Sequence, residues 1–485
     1  MTVALPIGTL GCMKKTINPT DTLATLRDQI YCALHARRDA LFELMDATTC
    51  GDTRESLVHG CLSPLHRRGH GSLYAAIRRG TLWPDRVRAA LTAAPRLTGG
   101  LAADAVDVSV VPRCDAETSP ERGYYYSARL HSHGQPIVAG WAYSWIVQIG
   151  TERSSWTAPV DVERQRPGER AEAVAVEQIR RLVPPSPVPL FVFDAGYTPA
   201  VLTEELIGEC VAILVRLRAN RIFFRPPPPY PGNGQPRRHG TRFRCADPAT
   251  WGDPDQTHGE DDPACGHVDV RCWAHLHGAP SEIPGRGTGP GRGPTRAIVT
   301  GWVARVVLER TPGQARPPAP LWLWYAGPSP PDLALLWRAY VHRFDIEHTL
   351  RFVKQRLGWA TARLRTPQQM DTWTWIVVVA YTQLRLARTL IVDRKLPWEL
   401  ARPPNSLTPL RVQRGFGALV AAIGTPAMPQ NPLAVAPGVP RVVYRPPHLG
   451  VLPSKPPTRA LHNPFSAGCD HSSRHRLTRR RAAWS

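Results

Sequence analysis

The sequence predicts an α/β fold, a mixed five-stranded sheet flanked by helices, and three observations predict it. Residues 105–111, 124–130 and 137–149 are rich in Val, Ile, Tyr and Trp and are separated by Pro, Gly and His, which reads as three strands in meander order. Helical and strand signals then alternate: a helix over 169–182, a strand over 189–193, a helix over 199–208 and a strand over 210–216. Beyond these, a long Pro/Gly/Arg-rich stretch interrupts the pattern before the last helices. The order βββαβαβ describes a ribonuclease H-like sheet.

Each flanking element has its own signal. Between Thr22 and Thr48 there is no Gly or Pro, and Leu23, Leu26, Ile30 and Leu34 recur at helical steps, so one long helix or a helical hairpin is expected there. Two short helices follow at 72–80 and 85–94, which makes residues 1–98 a helical, basic domain. Residues 99–216 hold the first part of the sheet. Residues 217–330 read as a β-strand and loop insertion, with strand-like runs at 296–308 and 321–325. A helix capped by Asp332 runs to about Leu357, and a second begins at Thr366-Pro367, so residues 331–402 complete the core with helices. Residues 403–485 carry 14 prolines and an arginine cluster, and are expected to be a partly disordered basic tail.

Composition narrows the partner. The chain of 485 residues has 60 Lys and Arg against 39 Asp and Glu, a net charge of +21, and 51 prolines, about twice the usual frequency. That charge calls for a polyanion, nucleic acid first. Neither the uncharged run 372–384 nor the polar-interrupted run 130–151 supplies the roughly 20 apolar residues of a membrane span, so no membrane is expected. The N-terminus lacks a secretion signal, and ten scattered cysteines fit reduced thiols in a cytoplasm.

The chemistry concentrates on one helix face and two strands. At about 100° per residue, Tyr340, Arg343, Glu347 and Lys354 fall within an arc of about 60°, while Asp345 lies about 160° from Glu347. The plain alternative is a solvated face with ion pairs at helical spacing. Asp107 sits inside the apolar run Val106-Asp-Val108, and Asp194 ends Leu190-Phe-Val-Phe193. A carboxylate in a buried strand is costly unless a cation compensates, and three hard oxygen donors suit Mg²⁺ or Mn²⁺. Asp104 and Asp115 are competing local acids outside the strongest strand pattern.

The spacing Tyr340-(2)-Arg343-(3)-Glu347-(6)-Lys354 resembles the YREK signature of bacterial insertion-sequence transposases of the insertion-sequence-four type, which have a DDE ribonuclease H-like catalytic core. Ala105-Val-Asp-Val-Ser109 resembles the strand of the first acid, and Phe193-Asp-Ala-Gly-Tyr197 the strand and turn of the second. The resemblance covers about residues 20–400. It implies that Asp107, Asp194 and Glu347 are catalytic and hold two Mg²⁺ ions, with Mn²⁺ able to substitute, for in-line displacement at phosphorus. It further implies that Tyr340, Arg343 and Lys354 bind DNA phosphate, and that Trp302, Trp322 or Trp324 receives a base by stacking. The implied activity is cleavage of element ends and transfer of their 3′-hydroxyls to target DNA. The implied partners are terminal inverted repeats, target DNA and a second copy in a homodimer on DNA, and the implied location is the bacterial nucleoid. A catalytically silent DNA-binding descendant or repressor is the alternative.

Other signals are weaker. Cys265, His267, Cys272 and His275 have no standard zinc spacing, though they could pin a loop. The glycines of 285–293 lack the strand and helix of a nucleotide fingerprint. Residues 72–94 fit a helix-turn-helix or a plain bundle, and His66-Arg-Arg-Gly-His70 reads as a basic stretch.

Overall fold

A computed structural model describes residues 18–97, 100–126, 136–150, 155–182, 187–278, 298–310 and 316–429. The glycine-rich run 284–294, the end of the second expected strand, and the tail beyond residue 429 lie outside the described residues.

The chain begins with a helical hairpin, α1 (Pro19–Ala33) and α2 (Arg38–Cys50). Asn18 caps α1 by accepting from the Thr20 N–H, with Pro19 at the first position where its missing N–H costs nothing. The hairpin breaks at residues 34–37, where Arg37 adopts a left-handed φ of 54°. Short helices α3 (Leu57–Gly60), α4 (Ser72–Arg79) and α5 (Pro84–Ala93) follow. The basic stretch 66–70 is tied to the helices beneath it, with Arg67 and His70 still exposed. Buried Glu43 accepts from the Arg67 backbone N–H and Nε, both at 3.1 Å, and lies 3.3 Å from Arg68 Nε.

The sheet opens with β1 (Gly100–Pro112), β2 (Gly123–Tyr126), β3 (Ile137–Gly150) and β4 (Ala158–Gln165). It continues with α6 (Ala171–Leu182), β5 (Leu190–Phe193), α7 (Pro199–Glu205) and β6 (Ala212–Leu217). Spatially the order is β4-β3-β1-β5-β6, with β3 antiparallel to β1 and the three strands β1, β5 and β6 parallel, the ribonuclease H-like arrangement. β4 is a strand the sequence reading did not include. Its Pro159, Asp161 and Arg164 break the apolar alternation, yet Asp161 is wholly buried and hydrogen-bonded to Arg88 Nε at 2.8 Å and Gln178 at 3.1 Å.

The expected five strands become, among the described residues, a sheet of twelve. The insertion supplies β7 (Ile222–Phe224), β8 (Arg242–Arg244), β9 (Gln256–Asp262), β10 (Gly266–His277), β11 (Thr300–Leu308) and β12 (Leu321–Ala326). β12 pairs antiparallel with β6, and β11, β10 and β7 follow outward. The insertion therefore extends the sheet edge to edge. β9 is polar along its whole length and most of β10 carries polar residues at every other position, which hid them in a composition of Asp, His and Gly.

One face of the sheet packs on α6 and α7 through Val106, Ile146, Phe191, Phe193, Ile213 and Val215. The other packs under the N-terminal helices and the last four, α8 (Leu333–His342), α9 (Asp345–Gln355), α10 (Pro367–Ala387) and α11 (Pro409–Ile423). α10 is apolar all round because it is buried all round, which explains the uncharged run 372–384. Among the described residues no helix is long and apolar enough to cross a membrane. Arg27 of α1 ties this layer together, reaching Asp46 of α2 at 2.6 Å and Gln383 of α10 at 2.5 Å. The described residues as far as Pro429 form one compact unit, so α11 belongs to it although it lies in the Pro-rich region.

Candidate active site

Asp107 and Asp194 arrive side by side through strand register. β1 and β5 pair in parallel as Ala103 with Leu190 and Ala105 with Val192, and two further residues along each strand bring Asp107 beside Asp194. Alternation puts both on the face that carries Ala103, Ala105 and Val192, under α8–α10. Asp194 lies just beyond β5, where its Oδ1 accepts from the Gly196 N–H at 2.9 Å. A Cβ at Gly196 would stand 3.0 Å from that oxygen, a tight contact that would press on the Asp194 carboxylate. Asp104 sits on the opposite face, 4% exposed, with Oδ1 unpartnered; burial pushes its carboxyl up to about 6, opposed by Arg96.

Glu347 comes from α9, but not on the continuous helix the sequence suggested. The helix is interrupted at Arg343 and Phe344, where Ile346 N–H donates to Arg343 O and Glu347 N–H to Phe344 O, i→i−3 bonds that tighten the turn. No Pro or Gly is present at the break. Asp345 turns away and lies 3.3 Å from His342 Nδ1. The four residues of the predicted helix face nevertheless stay together. Tyr340 is hydrogen-bonded to Arg343, and the Arg343 guanidinium, 8% exposed, is surrounded by Asp107, Asp194, Tyr340 and Glu347, whose charges outweigh its burial and raise its proton affinity.

The carboxylates repel one another. Burial pushes Asp107 up to about 7, with Arg343 opposing and Asp194 and Glu347 adding to the rise. Lys354 is pushed down by burial and drawn back by Asp107, and its Nζ lies 5.8 Å from the Trp359 ring centroid. Trp359 meets Trp145 edge to face at 5.1 Å, and Trp145 is the β3 partner of Asp107, so a tryptophan floor underlies the acid. Three carboxylates are the hard oxygen donors that Mg²⁺ or Mn²⁺ takes, and a divalent cation would relieve the repulsion that lifts Asp107. Among the described residues no three His, Cys, Asp or Glu side chains close into a group that could hold a metal ion, so the acids converge without forming a finished ligand shell.

Two further side chains belong to this neighbourhood. Arg216 follows the β6 residue paired with Phe193, which places it next to Asp194 on the acid face; its guanidinium lies 5.7 Å from the Tyr340 ring centroid. Its signal was an arginine inside the apolar run 212–217. Tyr197 is buried with an unpartnered hydroxyl and is pushed well up by burial, by Asp107 and by Asp194.

The three tryptophans do not converge on the acids in one way. Trp322 and Trp324 are 3% and 2% exposed and lie in the core on the α6–α7 side, Trp322 against Trp251 and Trp324 stacked on Phe223 at 5.5 Å. A base cannot stack on them while that core is packed, which removes them as base receptors; Trp302 is half-buried on the other face, beside His275. The zinc spacing also fails to assemble. Cys265 and Cys272 are core residues, burial pushing Cys272 up to about 12, whereas His267 is exposed and paired with Asp261 at 2.9 Å.

The sheet thus brings acids from two adjacent central strands, and a third from a covering helix, to one face. Residues 29–270 match the family model described as DDE superfamily endonuclease, a span that holds Asp107 and Asp194 and stops short of Glu347. Among solved structures the chain is similar to a piggyBac transposase determined as a synaptic complex with hairpin DNA, at 10% identity and a TM-score of 0.41, over 85% of this chain and 82% of that one. No curated protein matches the sequence.

Proposed function

We propose that this chain is the DNA transposase of a bacterial insertion sequence of the insertion-sequence-four type, and that Asp107, Asp194 and Glu347 are its DDE triad. The observation that carries this reading is the convergence of two strand-register acids and Glu347 around one buried arginine, within a chain similar to DDE superfamily endonucleases over residues 29–270. Asp107, Asp194 and Glu347 would hold two Mg²⁺ ions, which supply Lewis-acid activation of the attacking water or 3′-hydroxyl and charge neutralisation at the leaving oxygen. Arg343 and Lys354 grip the phosphates beside the scissile bond, the first as a fork and the second as a point charge, and Arg216 adds a cation on the far side of Asp194. Tyr340 orients Arg343 through its hydroxyl. The N-terminal helices supply contacts to the element ends, and two protomers hold two ends together.

Cleavage and joining of a labelled duplex carrying the element's own ends, with Mg²⁺, tests the reading against Glu347→Gln. The expected result is cutting by wild type, and binding without cutting by the variant. If both bind equally and neither cuts, the chain is a silent DNA-binding descendant.

A further inference from the structure

The acid face of the sheet continues well past the triad. Arg113 lies just past the end of β1, six residues beyond Asp107 and about 20 Å away at the usual strand rise, and its continued pairing with Ala139 returns it to the same face. That distance is about six base pairs of duplex. Its guanidinium is almost closed off, 8% exposed, and its Nε has no hydrogen-bond partner. Two more guanidiniums lie close by. Arg122 donates to the carbonyls of Arg113 at 2.8 Å and Glu117 at 3.0 Å, and Arg363, 80% exposed, reaches across from the loop between α9 and α10. One carboxylate, Asp115, answers two of the three, at 2.6 Å from Arg363 and 4.0 Å from Arg113. The next acid, Glu121, is taken by Arg164 at 2.7 Å. The mutual repulsion shows in Arg113, whose proton affinity is lowered by burial and by both other arginines, with Asp115 opposing.

Aromatic rings stand beside this cluster. The Arg113 N–H donates to Ala139 O at 2.7 Å, and Ala139 is the β3 partner of Tyr124; Ile137 is the partner of Tyr126. Directly paired residues share a sheet face, so Tyr124 and Tyr126 rise from the same face as Arg113. They are 76% and 77% exposed on an edge strand, a large apolar surface for a soluble side chain to leave uncovered.

We propose that Arg113, Arg122 and Arg363 form a phosphate-binding site for a DNA strand running off the acid cluster, and that Tyr124 and Tyr126 stack on its unpaired bases. The inference rests on the transposase reading for its substrate and adds to it a second, remote contact. Excess positive charge around one buried, unsatisfied guanidinium suits a phosphodiester oxygen, and exposed phenol rings take bases without reading their sequence. Asp115 holds the site in the absence of DNA and competes with the phosphate for Arg363.

Fluorescence anisotropy with the full chain tests this, using an element-end duplex with and without a single-stranded tail. The double variant Tyr124→Ala, Tyr126→Ala is expected to weaken binding of the tailed DNA about tenfold and leave the blunt duplex within about twofold. Arg363→Ala should lower the slope of log affinity against log salt by nearly one unit. Asp115→Asn is the decisive variant. It frees both arginines at an exposed position and is expected to tighten binding about threefold, whereas an ion pair with only a structural role would leave binding unchanged or weaken it. The proposal is overturned if Asp115→Asn fails to tighten binding, or if the tyrosine variant treats both DNAs like wild type. A shift of that variant from dimer to monomer in sedimentation, with unchanged DNA binding, would make the surface a contact between copies instead. These assays read binding with the triad intact, so a failure here leaves the Glu347→Gln cleavage result standing, and the reverse.

Discussion

Buried carboxylates occupy two kinds of place in this molecule. In the structural layers Asp46, Asp161 and Glu43 are each bonded to a cation: Asp46 to Arg27 at 2.6 and 3.0 Å, Asp161 to Arg88 at 2.8 Å, Glu43 to Arg67 at 3.1 Å, while Asp104 has none among the described residues. On the acid face Asp107, Asp194 and Glu347 share the field of Arg343, and no ion pair within 4.0 Å joins them to it among the described residues. A fold that needed these acids for stability would pair them as it pairs Asp161. Leaving three together against one arginine stores repulsion, which burial strengthens and which a bound cation or a phosphate with its metal can discharge.

That contrast breaks or sharpens with substitution. The largest effect is expected at Asp194→Asn, which should cut strand cleavage by about a thousandfold or more, equivalent to about 4 kcal/mol of barrier, without lowering the melting temperature. Loss of both activity and stability would place Asp194 with the structural acids. Asp161→Asn should do the opposite, costing about 3–5 kcal/mol in urea denaturation because it strips Arg88 of its buried partner. An unchanged urea midpoint would mean that the ion pair is not a support of the sheet. Asp104 offers the smallest and most pH-dependent effect. Its folded carboxyl titrates near 6 against about 3.9 unfolded, so its favourable contribution is complete below about pH 4 and is lost as pH rises through 6. Asp104→Asn should therefore stabilise the protein by up to about 3 kcal/mol at pH 8 and by nothing at pH 4. Denaturant midpoints that coincide with wild type at both pH values would show that Asp104 has a partner after all.

The sequence revealed the fold where strands are buried on both faces and showed less of it elsewhere. β1, β3, β5 and β6 are Val, Ile and Trp runs whose ends fall within a few residues of the expected ones, apart from β1, which begins at Gly100. β4 and β10 interleave Asp, His, Arg and Gln with apolar residues and β9 is polar throughout, because polar residues on these strands pair with helices or face solvent, and no composition rule separates them from loop. Asp107 stood out as a charge in an apolar strand. Arg216 carried the same signal and was passed over, because an arginine can snorkel where an aspartate cannot. The pairing of the basic stretch 66–70 was hidden for a related reason: Glu43, which meets Arg67 and Arg68, is a helix away in sequence. The helix break at Arg343 left no mark, since both residues at the break keep right-handed helical dihedrals and only the hydrogen-bond span changes.

The edge-to-edge growth of the sheet has a consequence for anyone wishing to shorten this chain. Residues 218–326 look like a removable module between the central strands and the covering helices, yet β12 supplies the hydrogen-bonding neighbour of β6 over five paired positions, Trp322 to Ala326. Excising the insertion would strip one side of β6, the strand next to Asp194, and leave a row of unpaired N–H and C=O groups open to any other chain. A minimal version would have to keep β12 as a splint or replace it with a designed strand, since aggregation rather than inactivity would be the first symptom of its loss.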